Sequence, residues 1–470
     1  MQSPSSGRRP VISRSIHTKR RSRMLRAAML KTHSNWLDAL DDNLLLPAYT
    51  VTSIGYVELL RKNRPFRRLF AANMISFIGD WFTIISMFLL AGEVSDGSPL
   101  AIAGVMAVRS LTHAPLEPLT GMFADRYSRR GLMVLANGSS FVVLTAFLAF
   151  DLLGSLWSVY ALTSTLVLAR VLFDPAEYAY LPNICDEDEL LTANAMGSAG
   201  WSASLGIGAG LGGLTISQLG IETALWIDTL TFLVSALMFA SLPFGGPSKE
   251  ERGEGGLLTG LVEIVDGWRH IRSNPPIRRV VFAKAMWAAG GGAQVFLLIL
   301  IGMEAGFGTV AAGSIGVLYM ARGFGSGTGP VVGRRLMQSD RLRPSLLGWS
   351  ILIAGIFYLA ISAVEWTWII LVLVFISHGS SGINWVLSTT LLQERTEDEW
   401  RGRVAGTDYF LLTGMMGFSA LGAGLILEYD VLSLRETIAV TAFIQIAMGI
   451  IWLALVTPSE RSMAKLTNAS

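Results

Sequence analysis

Twelve apolar stretches of roughly bilayer length limit what this chain can fold into, and the basic residues between them dictate how it threads. The stretches lie near 69–91, 99–123, 132–153, 156–178, 194–217, 222–243, 279–301, 310–332, 345–364, 367–390, 405–427 and 436–457. Lys and Arg number 37. Arg109, Arg170, Lys284 and Arg322 fall inside the stretches, and Arg435 stands just before the twelfth. All the others lie in the two tails or in alternate gaps, counting Arg279 with the gap it borders. Loops that stay in the cytoplasm keep their cations and translocated loops shed them, so both termini are expected on the cytoplasmic side. Trp157, Trp226, Trp366 and Trp368 fall at the predicted outer ends, where interfacial aromatics belong.

Composition excludes the soluble classes. Charged residues make up 15% against 51% hydrophobic, where a soluble chain would be about a quarter charged. The single cysteine, Cys185, rules out an internal disulfide and is too little for a thiolate metal site. Five scattered histidines make no metal constellation. There is no phosphate-binding Gly-x-x-x-x-Gly-Lys-Ser/Thr loop, His-Glu-x-x-His zinc pair or Gly-x-Ser-x-Gly elbow. An enzyme, a resident metal or cofactor, and direct use of ATP are therefore not expected. The basic loops are short and separated by membrane-length stretches, which argues against nucleic acid as a partner.

The chain also repeats itself at an offset of about 210 residues. Pro65-Phe66-Arg67-Arg68 before the first stretch returns as Pro276-Ile277-Arg278-Arg279 before the seventh, and Gly79 matches Gly290. Gly121 to Arg126 is echoed by Gly329 to Arg334, and acidic runs at Asp186 to Glu189 and Glu397 to Glu399 follow the fourth and tenth stretches. A six-plus-six duplication is expected: a first bundle over 53–243, a linker over 244–278 and a second bundle over 279–457, with a tail at 458–470. Parallel repeats of this kind suit transporters that rock one half against the other. Within the linker, 257–271 has helical apolar spacing and is expected along the membrane surface. Residues 1–52 differ in kind: nine Lys or Arg precede residue 35, and the first acid is Asp38. A transit peptide, a disordered basic tail and a start codon assigned too early all fit this profile.

The sharpest motif is Gly121-Met-Phe-Ala-Asp125-Arg126-Tyr-Ser-Arg129-Arg130 between the second and third stretches. It resembles the cytoplasmic signature of the major facilitator superfamily, Gly-x-x-x-Asp-Arg-x-Gly-Arg-Arg, with Ser128 replacing the second Gly. The resemblance covers about 55–460. It implies an all-α integral membrane fold of twelve transmembrane helices in two six-helix bundles. Gly121 would admit a close helix, and Asp125 would meet a helix N-terminus or an arginine across the two halves. Together with Arg126, Arg129, Arg130 and the echo at Gly329, Gly333 and Arg334, this forms an expected conformational latch. A plain positive-inside anchor is the alternative. Phe66-Arg-Arg-Leu, Gly79-Asp80-Trp81, Phe173-Asp-Pro-Ala176 and Leu181-Pro-Asn look like the branch of bacterial and plastid effluxers that includes macrolide-efflux-like proteins. In the fifth stretch Ser204, Gly208, Gly212 and Gly213 resemble the superfamily's antiporter motif, with Ala209 in place of its proline. Small residues at that spacing also serve ordinary helix packing.

Ionisable groups inside the stretches are the first functional candidates, because charge in hydrocarbon is costly. Arg109, His113 and Glu117 recur at i,i+4 and share one helix face. Asp80 or Glu117, tuned by Arg109, is the expected proton carrier, with His113 a further candidate. Asp80 has a structural alternative, an ion pair with Arg109 or Lys284. Arg170 either takes part in proton transfer or pairs with Asp174. Lys284 and Arg322 hint at an anionic ligand, unless Asp80 or Glu117 neutralises them. Asp228, Glu304 and Glu365 sit near stretch ends and read as solvated, while His378 and Asn384 are candidates to line a cavity.

The expected function is a secondary transporter of a small organic molecule, working by alternating access as a proton-coupled effluxer. A metabolite symporter and a non-transporting receptor or scaffold are the alternatives, and a dry ion network at Asp80, Arg109 and Glu117 would favour the receptor. Expected partners are membrane lipid, the small-molecule substrate and a proton or other coupling ion, with the chain a monomer. A plastid envelope or a bacterial inner membrane is the expected location, with both termini cytoplasmic or stromal.

Overall fold

The computed structural model describes residues 54–116, 123, 126–245, 257–305, 307, 310–339, 342–397 and 400–467. The basic leader, Glu117, Gly121, Asp125 and most of the glycine-rich linker lie outside the described residues.

What is described is helical. A short α1 (Tyr56–Lys62) precedes α2 (Arg64–Glu93), α3 (Pro99–His113), α4 (Arg129–Ala149), α5 (Leu156–Tyr180) and α6 (Glu187–Ala240). Then come α7 (Leu257–Ser273), α8 (Pro275–Ala305), α9 (Ala311–Val332), α10 (Arg334–Met337), α11 (Arg343–Ala363), α12 (Ile369–Arg395), α13 (Arg401–Glu428), α14 (Leu434–Ile451) and α15 (Thr457–Thr467). Side chains start many of them by accepting from orphan amides: Asn63 from Phe66, Ser98 from Ala101, Ser128 from Gly131 and Ser155 from Ser158. At 54 residues, α6 would run about 80 Å if straight, more than twice the hydrocarbon thickness. It breaks at Gly220, whose φ of 85° suits glycine, and so supplies both the fifth and the sixth predicted spans.

Among the described residues, nine helices are long and apolar enough to cross a membrane. The second and eighth predicted spans stand outside those nine. Only 15 residues of α3 are described, and α9 is dense in glycine. Helix nevertheless occupies every one of the twelve predicted positions. Of the expected surface helix, α7 is present. It rests on the start of α13, where His270 stacks on Trp400 at 4.4 Å between ring centroids.

Two pairings join the halves. The first arm of α6 packs on α9, and α3 packs on α13. Exchanging the halves turns one pairing into the other, as a two-fold axis along the membrane normal requires. The repeated glycines have equivalent duties: a Cβ at Gly79 would strike Thr231 and Asp228 in the sixth span, and one at Gly290 would strike Thr441 and Gln445 in the twelfth. Each glycine lets the first helix of its half touch the last.

Near the basic end of the first half, Asn63 ties helix starts together by donating to the Ile184 carbonyl (2.6 Å) and to Glu189 (2.7 Å). Cys185 is buried beside it, and burial, with Glu189 and Asp186 adding to it, pushes the thiol up to about 12. Thiolate is the reactive form, so the folded protein at neutral pH should hold it at a level on the order of 10³ below an ordinary cysteine. Maleimide should therefore label Cys185 slowly in the native protein, faster as pH rises, and promptly in denaturant. Prompt native labelling at neutral pH would show that this junction is open.

Candidate functional site

Charged side chains from both halves gather where the two bundles face each other. On α5, Arg170 is the hub of one group. Its Nη1 donates to Asp80 of α2 at 3.2 Å and its Nε to Asp174, one turn along α5, at 2.7 Å. The guanidinium lies over the rings of Phe77 (4.3 Å) and Phe173 (5.3 Å), which hold it flat. The structural alternative for Asp80 pairs it with Arg109 or Lys284, whereas its ion-pair partner is Arg170. Helix geometry explains the difference, since Asp174 fixes the Arg170 side chain on the face that meets α2. One turn further along α5, Glu177 accepts from Asn73 at 2.9 Å.

Arg109 on α3 and Arg322 on α9 complete the cluster from either side. Asp80, Asp174, Arg170 and Arg322 all lie within electrostatic reach of Arg109. Arg109 is exposed, although Ala101 through Ala107 just before it are buried. The side chains of Arg170 and Asp80 are about a quarter accessible, at 27% and 26%. Asp80, Arg109 and Arg170 thus all keep accessible surface and do not form a dry network. Arg322 packs over the Tyr319 ring at 5.3 Å, and Trp81 of the first half meets that same ring at 5.6 Å. His113 lies on the same helix as Arg109, and their expected companion Glu117 lies outside the described residues.

Lys284 does not belong to this cluster. Its side chain and that of Asp408 are each 2% exposed and pair at 2.5 Å, linking α8 to α13. The ammonium also donates to Thr389 (2.9 Å) and faces the rings of Trp385 (5.0 Å) and Tyr409 (5.1 Å). Lys284 is therefore neutralised within its own half, by an acid that sequence reasoning overlooked. Asp408 stands only a few residues into the eleventh stretch, and the rule that marked Lys284 applied to it equally.

Asp228 corrects a second expectation. It read as a solvated end residue, yet it is 0% exposed and accepts from Thr83 (2.5 Å) and Thr231 (2.8 Å). The sixth span begins directly at the Gly220 turn, so Asp228 lies two helical turns inside. Glu304 and Glu365 are exposed, as read. His378 and Asn384 are buried, not cavity-lining: His378 pairs with the Tyr358 hydroxyl at 2.9 Å, and Asn384 donates to Ser350 at 3.2 Å.

The signature loop is partly described. Arg129 donates to the Ala179 carbonyl and to Asn183 at the end of α5, and Arg130 donates to the Leu242 carbonyl past the end of α6. Both cations thus sit at helix C-termini of their own half, where the dipole favours them, and neither reaches across. Arg126 and Arg334 are described without an interaction that crosses the halves. Gly329 and Gly333 pack within the second half, against Gly379 and Ile383 of α12. In the fifth span Gly208 and Gly212 face the backbone of α2, Ser204 donates to Met74, and Gly213 faces Ala312 and Gly316 of the other half.

At the end away from the basic loops the halves are fastened. Glu428, at the close of α13, accepts from the Ser98 hydroxyl (2.6 Å) and the Leu100 amide (3.1 Å) at the start of α3. A carboxylate from one half therefore caps a helix of the other. Gly424 meets Ala103 just inside this contact. Beside it is a cavity of about 550 Å³ lined by Glu93, Ile102, Met303, Glu304 and Asp430. This cavity is separate from the arginine cluster.

The sequence profile of the Major Facilitator Superfamily matches residues 69–421. The chain belongs to that superfamily. Major Facilitator proteins are transporters, not enzymes, and this one is a multi-pass membrane protein of that superfamily. The MFS-type transporter YfiS of Bacillus subtilis is 29% identical over 186 residues, which are 39% of this chain and 44% of YfiS. The chain thus matches less than half of that relative's length. The enterobactin exporter EntS of Escherichia coli is 23% identical over 369 residues, 74% of this chain and 82% of EntS. Among solved structures, the POT family transporter PepTSo superposes with a TM-score of 0.65 at 12% identity, covering 85% of this chain and 99% of that one. The human organic anion transporter MFSD10 superposes with a TM-score of 0.63 at 14% identity, covering 83% and 99%. At these identities the structural likeness carries the fold alone.

Proposed function

We propose that this Major Facilitator protein exports a small organic molecule by alternating access, in exchange for protons. The observation that carries the reading is the charged cluster itself, built from α2, α3, α5 and α9 of both halves and in part accessible. Charges at that depth are stable only against water, a ligand or one another. The far end is fastened by Glu428 on the start of α3, while Arg109, Arg170 and Asp80 keep accessible surface. With the basic loops in the cytoplasm, this arrangement is a carrier ready to load from inside. The exporter EntS among its relatives supports the outward direction. We further propose that Asp80 carries the proton. Protonating it cancels the charge that holds Arg170, so one proton rearranges the hub that joins α2 to α5.

The test is a liposome with an internal pH dye, an imposed proton gradient and a panel of amphiphilic drugs and organic acids. Wild-type protein should show substrate-dependent proton flux. Asp80→Asn should abolish that flux while still allowing substrate to equilibrate down its own gradient. Flux in the Asp80→Asn protein equal to wild type would remove Asp80 from coupling. No flux with any compound in folded wild-type protein would overturn export by proton exchange.

A further inference from the structure

We propose that the space between the halves binds an organic anion through Arg109 and Arg322, one arginine from each half. This deepens the export reading and rests on it. The argument is by elimination among the cations that the membrane region contains. Lys284 is committed to Asp408, and Arg170 is committed to Asp80 and Asp174. Two remain. Arg322 makes no ion pair among the described residues, and its Nε is buried without a hydrogen-bond partner. Arg109, Tyr319, Tyr358 and His378 lie within its electrostatic reach, and none of them is an acid. Both tyrosine hydroxyls are engaged elsewhere, with the Val295 carbonyl at 2.7 Å and with His378 at 2.9 Å. Arg109 likewise makes no ion pair or hydrogen bond among the described residues, and it is exposed.

A guanidinium held this way lacks an acceptor, and a planar oxyanion supplies two. A carboxylate is the simplest ligand that fits. The rings of Tyr319 and Trp81 beside Arg322 favour an anion that also carries an apolar or aromatic body. The placement also bears on mechanism. Arg109 and Arg322 lie on the second helix of their respective halves, so closing the empty carrier brings like charges together. A bound anion between them turns that repulsion into attraction. Loaded carrier would close, and empty carrier would resist closing.

The experiment uses the full chain in nanodiscs and follows thermal stability with benzoate, 1-naphthoate, succinate and citrate, each beside its neutral amide. At least one carboxylate should raise the melting temperature where its amide does not. Arg322→Gln should weaken that binding about tenfold to a hundredfold, the span of a charge-assisted contact. Arg322→Lys should retain part of it, and Arg109→Gln should weaken it as well. The wild-type comparison of acid with amide needs no variant, so a variant that fails to fold does not blunt the test. No carboxylate outperforming its amide overturns the proposal, as does unchanged binding in both glutamine variants. Proton-flux measurements separate the two readings. Neutral or cationic compounds that drive flux while every carboxylate fails would sink the anion site and leave export standing. Carboxylates that bind and never cross would leave the site and sink export.

Discussion

Lys284→Met is expected to cost about 3–5 kcal/mol of stability, the penalty for stranding one member of a buried ion pair. That is a large share of the 5–15 kcal/mol that separates a typical folded protein from its unfolded state. The reason lies with the partner. Asp408 would lose the ammonium at its Oδ2, and its Oδ1 already has no hydrogen-bond partner among the described residues. The carboxylate, its side chain 2% exposed, would then be left buried without a counter-ion. The variant should express poorly and aggregate on size exclusion. The double change Lys284→Met with Asp408→Leu should recover most of the loss, because an apolar pair of similar volume suits that site at least as well as the ion pair. Melting temperatures in one detergent check both statements. A single variant that melts with wild type would mean that the pair does not hold α8 to α13.

Gly213→Leu should have the largest effect on transport. A Cβ there would lie 2.5 Å from the Ala312 carbonyl and 2.8 Å from the Gly316 Cα. These are backbone atoms of α9, so no rotamer change relieves the clash and the halves must part. Transport should fall at least about tenfold, since a strain of 1.4 kcal/mol already shifts an equilibrium by that factor. The far end should open with it. A single cysteine at position 103, in protein with Cys185→Ala, should pass from protected to labelled from outside. Glu428→Gln should act in the same direction and more weakly, because it trades a charged cap on α3 for a neutral one. Gly138→Ala is the control, as no heavy atom lies near its Cβ position. Full transport in Gly213→Leu would show that the halves do not depend on this crossing.

The sequence determined the fold class, the alternation of basic gaps and the duplication. Each rests on a local cause: an apolar stretch of bilayer length must become helix, and a loop either keeps its cations or sheds them. It also named most of the charges at the centre, because an ionisable residue inside such a stretch stands out without knowledge of its neighbours. Arg170 with Asp174 was legible for the same reason, being four residues apart on one helix.

Partners across helices were not legible. Spacing along α2 says nothing of which helix Asp80 will face, and it turned out to be α5. Asp228 looked like an end residue by counting from the stretch boundaries and Asp408 went unnoticed, whereas a turn at Gly220 and the crossing of α8 with α13 bury them. Glu428 could not be linked to Ser98 from sequence, since the two lie on helices of different halves, 330 residues apart. Arg109 and Arg322 were visible as cations from the start. Only the tertiary structure set them apart, because freedom from a counter-ion is a property of the packed neighbours and is written nowhere in the local sequence.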